Sequence, residues 1–301
     1  MTRELVFIHG RSQQNKDADA LKKEWLDALG EGLAKSGLTL PIPETQVRFP
    51  YYGNTLFDLS EGKTVAEAAK VIVRGDETDA AEKQFVLAML DEIRRERGIS
   101  DEQLAEVAGQ DVVEKGPLNW PWVRAALQAI DRFLPESSSP TIALFTHDVY
   151  VYLTDSGIRQ VIEDGICEAM KPGVETVVVS HSLGTVVAYN LFRREGHLRN
   201  WQVPLFVTVG SPLAITAIRK KLKSFAPTRI PQCADAWFNA MDPRDVVALY
   251  PLDAKNFPID PAAPEIENKT DISNKTENRH SISGYLDDEV VAARIHEALT
   301  K

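Results

Sequence analysis

Apolar residues gather along this chain in two kinds of pattern, and the alternation between them sets the fold class. Runs with no polar alternation occur at "LVFI" (5–8), "TVVV" (176–179) and "VPLFVTV" (203–209), with "AWFNAM" (236–241) as a fourth candidate. Such Val-, Ile- and Phe-rich runs suit strands covered on both faces, as in a parallel sheet. Between them, apolar residues recur at helical spacing: Leu21, Trp25, Leu29 and Leu33 within 17–35; Ile158, Val161, Ile162, Ile166 and Met170 within 158–170; and Leu183, Val187 and Leu191 within 183–195. The last segment, 287–300, carries Val290, Ala293, Ile295 and Leu299 in the same way. Strand, helix, strand order predicts parallel crossovers, hence an α/β fold with a mostly parallel central sheet flanked by helices.

Residues 51–140 break this rhythm with three helix-like pieces and no convincing strand. One is 78–97, with Val86, Leu90 and Ile93 on one face; the next starts at "SDEQ", where Ser100 and Gln103 form a capping-box pattern. The third, "NWPWVRAALQAIDRFL", has Pro121 in its first turn and Val123, Leu127, Ile130 and Leu134 at helical spacing, and "PESSSP" (135–140) closes it as a loop. The chain, 1–301, is read as one domain in which 51–140 is a helical cap inserted over the sheet. Residues 254–279, rich in Pro, Asn, Asp and Thr, predict a long loop with at most a short strand near "PEIENKTDI".

Composition narrows the function classes. With 44% hydrophobic and 26% charged residues the chain is globular in type, and a net charge of −10 argues against a nucleic-acid surface, which needs clustered Lys and Arg. Cys167 and Cys233 are too few for a disulfide framework and lack metal-ligand spacing. The opening "MTRELVFIHG" runs straight into a strand-like segment, which leaves no signal peptide, and no apolar stretch approaches the roughly 18 residues of a spanning helix. The expectation is a cytoplasmic protein without a transmembrane segment.

The candidate chemistry sits at "VVVSHSLGTVVAYN" (177–190), a strand that turns on Ser-His-Ser-Leu-Gly into a helix. A serine hydroxyl is a weak nucleophile without an adjacent base, and a sharp strand-to-helix turn projects it out of the sheet where small neighbours let the backbones approach. Ser182 is central in that turn, with Ser180 and Gly184 two positions away on either side. The N–H of Leu183, at the start of the helix, would face a negative charge forming on a substrate oxygen. A second donor is expected from "FIHGRS" (7–12), where Gly10 permits a tight turn and the Arg11 amide points inward; His9 there reads as a structural loop residue.

"FIHG" followed much later by "VVVSHSLGTVVAY" resembles the α/β-hydrolase superfamily, in particular its serine esterase and lipase-like branch, and "TVGSPL" (208–213) resembles the segment after the next strand in lipase-like members. Ser180 departs from the family's G-x-S-x-G, and no antiparallel strands precede the first run. The resemblance implies an acid and then a histidine after the nucleophile. "MDPRDVVALYPL" offers Asp242 and Asp245, with "DVVA" favouring Asp245; of His280 and His296, His280 stands before "SISGYLDDEVV", which resembles the family's histidine loop and following helix. The implied activity is hydrolysis of carboxylic esters through Ser182, His280 and Asp245, with oxyanion donors at Arg11 and Leu183, without metal or cofactor. Its implied partner is a small-molecule ester, with hydrophobic acyl groups favoured. An acyltransferase or thioesterase with the same residues, and a non-catalytic ligand-binding member of the fold, stand as alternatives.

Two further features have bland readings beside functional ones. His147 and Asp148 in "FTHDVYVYLTD" form a polar pair at the end of another apolar run and read as a satisfied histidine near a strand end. Trp120 and Trp122, with Tyr51, Tyr52 and Phe57, either line an acyl pocket or seal the inserted helices onto their base.

Overall fold

The computed structural model describes residues 3–10, 17–52, 80–114, 120–134, 139–262 and 264–301. Their centre is a six-stranded, all-parallel sheet built from β1 (Glu4–Ile8), β2 (Val47–Arg48), β3 (Thr176–His181), β4 (Phe206–Val209), β5 (Trp237–Ala240) and β6 (Glu267–Lys269). The spatial order is β2-β1-β3-β4-β5-β6. The chain therefore steps from β1 to one side, crosses back over it, and then proceeds the other way from β3. Right-handed crossovers made in opposite directions place their helices on opposite faces.

Both faces are covered, which is why the strands read as unbroken apolar runs. Leu5, Phe7, Val177, Val179 and Val207 share a core with α1 (Ala18–Lys35) and the C-terminal helices α10 (Ser283–Leu286) and α11 (Glu289–Thr300). Helix α1 begins where the Asp17 side chain accepts from the N–H groups of Asp19 and Ala20, and it buries Leu21, Trp25, Leu29 and Leu33, the spacing seen in the sequence. The other face, through Val6, Ile8, Val178 and Phe206, meets a thicker helical layer.

That layer comprises α2 (Ala80–Glu96), α3 (Asp101–Ala108), α4 (Gln110–Glu114), α5 (Trp120–Phe133), α6 (Ser139–Thr154), α7 (Ser156–Ala169), α8 (Leu183–Leu191) and α9 (Thr216–Phe225). Val86, Leu90 and Ile93 of α2 and Val123, Leu127 and Ile130 of α5 lie in the same core as Val6 and Val178. Ser100 and Gln103 form the reciprocal capping box at the start of α3.

Three elements differ from expectation. The apolar run holding His147 and Asp148 is not near a strand end but lies within α6; an apolar run of this length satisfies either period, and burial among helices decides it. His147 Nδ1 there is 2.6 Å from Glu82 Oε1 of α2. Strand β2 is two residues long, too short to leave a pattern. Helix α8 ends at Leu191 and continues as a wider π-type turn, Phe192–Gly196. The loop over 254–279 carries the short edge strand β6. No helix among the described residues is long and apolar enough to cross a membrane.

Candidate active site

In an open parallel sheet, the crevice beyond the carboxyl ends of the strands opens where the strand order reverses. Here that point lies between β1 and β3. Gly10 follows β1, Ser182 follows β3, and the two touch: a Cβ on Gly10 would stand 2.6 Å from Ser182 Cβ. Gly184 is equally constrained, since a Cβ there would meet the carbonyl oxygens of Ile8 at 2.4 Å and His9 at 2.5 Å. Helix α8 can start this close to β1 only because that position has no side chain.

Ser182 has φ 56° and ψ −129°, a conformation rare for any residue with a side chain. The turn is fixed at both ends: the Ser182 N–H donates to the Val209 carbonyl at 3.3 Å, and its own carbonyl accepts from the Thr185 N–H at 2.9 Å. Ser180, standing where a glycine might be expected, is accommodated because its hydroxyl donates to the Val207 carbonyl of β4 at 3.0 Å. Leu183 occupies the first position of α8, where an N–H has no acceptor within its helix. Arg11 lies outside the described residues, as does Phe57.

The loops after β5 and β6 bring two more groups to Ser182. His280 Nε2 is 2.7 Å from Ser182 Oγ, and His280 Nδ1 is 2.7 Å from Asp245 Oδ2. Gly210, after β4, makes room for this ring; with φ +57° it has no side chain to press on His280 Cε1, 3.2 Å from where a Cβ would lie. Asp245 is wholly buried, and its other oxygen accepts from the Val247 N–H at 2.8 Å. Burial alone would favour the neutral acid, but the charge of His280 and hydrogen bonds from His280, Tyr285 and the Val247 N–H outweigh it and hold the Asp245 pKa below its ordinary value.

Asp242 is spoken for elsewhere. It accepts from the Arg244 N–H, from Arg244 Nε and Nη2, and from the Asn274 N–H, at 2.7 to 3.0 Å. His296 is in α11, away from this cluster in the chain's last helix. The structure thus brings together Ser182, His280 and Asp245, and gives Asp242 a structural clamp.

Two more histidines border the site, and both are neutral. His9 is wholly buried, and burial pushes its pKa down to about 4. Its Nε2 accepts from the Tyr52 N–H at 3.1 Å, so the ring proton is on Nδ1 and donates to the Gly10 carbonyl at 2.5 Å. Tyr52 stacks on this ring with centroids 3.9 Å apart, while Trp122 is buried in the helical layer under the Arg94 guanidinium. For His181, burial and then the charge of His280 lower the pKa to about 3, and Nε2–H donates to the His280 carbonyl at 2.8 Å.

Motif reading did not find three of the neighbours. Tyr285 donates its hydroxyl to Asp245 Oδ2 at 2.7 Å; His181 holds the His280 backbone; and Arg97, just past α2, donates to the carbonyls of Pro243 and Asp245. The only advance signal was proximity in sequence for His181 and Tyr285. Arg97 had none. The open groove of about 1020 Å³ between α2, α6 and α9 is lined by Phe85, Tyr150 and Tyr250 among others, and by none of Ser182, Asp245 and His280. Among the described residues no cluster of three or more His, Cys, Asp or Glu side chains has metal-binding geometry. Comparison with protein-family models, curated proteins and solved structures finds no match to this chain.

Proposed function

We propose that this protein is a serine hydrolase acting on carboxylic esters, with an α/β-hydrolase-like fold in which the insertion at 51–140, with the described helices α2 to α5, serves as a cap. The observation that carries the reading is the pair of contacts on the two nitrogens of one ring, Ser182 Oγ to His280 Nε2 and His280 Nδ1 to Asp245 Oδ2, each 2.7 Å long. A hydroxyl on a strained turn, an imidazole within bonding reach and a buried carboxylate behind it are the parts that acyl transfer requires.

In this mechanism His280 Nε2 takes the Ser182 proton as Oγ attacks the ester carbonyl carbon. Asp245 keeps the other ring proton on Nδ1 and stabilises the imidazolium as it forms. The developing oxyanion is met by the Leu183 N–H at the positive end of α8, with Arg11 as the second donor. His280 then protonates the departing alcohol, and water, activated by the same imidazole, releases the acid and restores Ser182. Lipase-like context favours hydrophobic acyl groups.

The test is covalent labelling by a fluorophosphonate, followed by p-nitrophenyl esters of graded chain length. The wild type is expected to label at Ser182 and to turn over esters; Ser182→Ala should abolish labelling and reduce turnover by about 10⁶-fold if the three side chains work as a unit. Folded wild-type protein that neither labels nor hydrolyses any ester would leave a binding protein instead.

A further inference from the structure

We infer that Tyr285 is a positioning residue of this site, its hydroxyl sharing one oxygen of Asp245 with His280 and fixing where that carboxylate points. The inference rests on the hydrolase reading above and adds to it a residue outside the three.

The geometry leaves the hydroxyl one orientation. A phenol has one proton to donate and accepts through its oxygen. The Asp242 N–H donates to it at 3.2 Å, and Asp245 Oδ2 lies 2.7 Å away as an ionised acceptor. The proton therefore points at Oδ2. Burial and then the charge of Asp245 raise the Tyr285 pKa well above its ordinary value, so the donor stays protonated. The ring cannot move aside, because Tyr285 is wholly buried on α10, and α10 is seated against α1 where Gly32 leaves only 2.4 Å between a would-be Cβ and the Leu286 carbonyl.

With His280 Nδ1 also at 2.7 Å, Oδ2 accepts two donors while Oδ1 takes the Val247 N–H. The phenol thus draws charge from the oxygen that grips the imidazole and prevents the carboxylate from rotating away. Deleting it leaves buried acceptor capacity empty and a more basic carboxylate facing His280. Among the described residues, the other ionisable groups facing Asp245 are Asp242 with Arg244 on its own loop, Arg97 on its carbonyl, and His181 from β3. None of them donates to Oδ2.

The experiment is the pH dependence of the fluorophosphonate inactivation rate in three proteins: wild type, Tyr285→Phe, and a protein with 3-fluorotyrosine placed at position 285 alone. Tyr285→Phe is expected to move the acidic limb to higher pH by about one unit and to slow inactivation at the optimum about tenfold. The fluorinated phenol, a stronger donor of nearly the same size, is expected to move the limb the opposite way, and it keeps the question open to measurement should Tyr285→Phe fail to fold. A wild type that does not label removes the hydrolase reading and this assignment with it. A wild type that labels, with the acidic limb unmoved by either replacement while thermal stability falls, makes Tyr285 a core tyrosine only and overturns this assignment alone.

Discussion

Asp242 and Asp245 stand three positions apart, both wholly buried, and differ in what fills their oxygens. Asp242 is saturated by Arg244 and the Asn274 N–H, donors that tie its own loop to the segment after β6. Asp245 offers Oδ2 to His280. On the proposed reading, Asp245→Asn leaves the shape intact but presents an amide to Nδ1, favouring the wrong tautomer, and ester turnover should fall about 10⁴-fold. Asp242→Asn should instead lower stability by about 1–3 kcal/mol, because a buried carboxylate that accepts from Arg244 and the Asn274 N–H is replaced by a neutral amide with one acceptor oxygen, and leave fluorophosphonate labelling of the folded protein near the wild-type rate. Measuring kcat/KM and the urea midpoint for both variants separates the roles; the opposite pattern would give the acid's part to Asp242. The same scale explains the glycines in and against the turn. The backbone of Ser182 is strained by roughly 1–3 kcal/mol, and such a conformation persists only where its surroundings over-determine it, as the close seating of Gly10 and Gly184 does here.

At the scale of elements, what could be read in advance is what is encoded locally. The box at Ser100 is an example: the Gln103 N–H donates to Ser100 Oγ at 3.2 Å, and Gln103 Oε1 accepts from the Ser100 N–H at 2.9 Å. Ser100→Ala removes the first of these and should cost about 1 kcal/mol, seen as a lower urea midpoint at unchanged m-value, with labelling unaffected. An unchanged midpoint would mean that α3 frays before the rest unfolds. The buried strands were legible for a similar reason, since a strand covered on both faces has no polar positions to interrupt it. Helix α6 was not, because a long apolar run fits both periods and only its neighbours choose between them. Of the candidate site, Ser182 and Leu183 are legible through the turn they occupy, whereas His280 and Asp245 were expected only from the resemblance, which implies an acid and then a histidine after the nucleophile. Tyr285 and Arg97 act on Asp245 across 40 and 148 positions, contacts that no local pattern records.

For the molecule as a whole, the switch point couples folding stability to pH. His9 follows β1 and His181 ends the adjacent strand β3, both lie in the interior, and their pKa values fall from 6.5 to about 4 and about 3. The sign follows from which state binds protons. Above pH 6.5 both rings are neutral whether folded or unfolded; below it the unfolded chain takes up protons that the folded protein refuses, so stability is lost as pH falls. Each histidine contributes a slope of up to about 1.4 kcal/mol per pH unit between 6.5 and its folded value, and the pair roughly twice that. Asp245 works in a lower window: its depressed pKa adds stability above 3.8 that is lost only below it, so from pH 6.5 down to about 4 the slope comes from the two histidines, and Asp245 adds to the remaining His181 effect only below that. The urea midpoint should therefore drop steeply from pH 7 to pH 5. His9→Gln, which keeps a donor and an acceptor but cannot titrate, should reduce that slope by one proton's worth. A midpoint flat over this range would mean that the folded protein accommodates charged imidazoles at both strand ends. The cationic His181 would then stand beside His280, still donating to its carbonyl, and its charge would oppose the imidazolium that the proposed mechanism forms there.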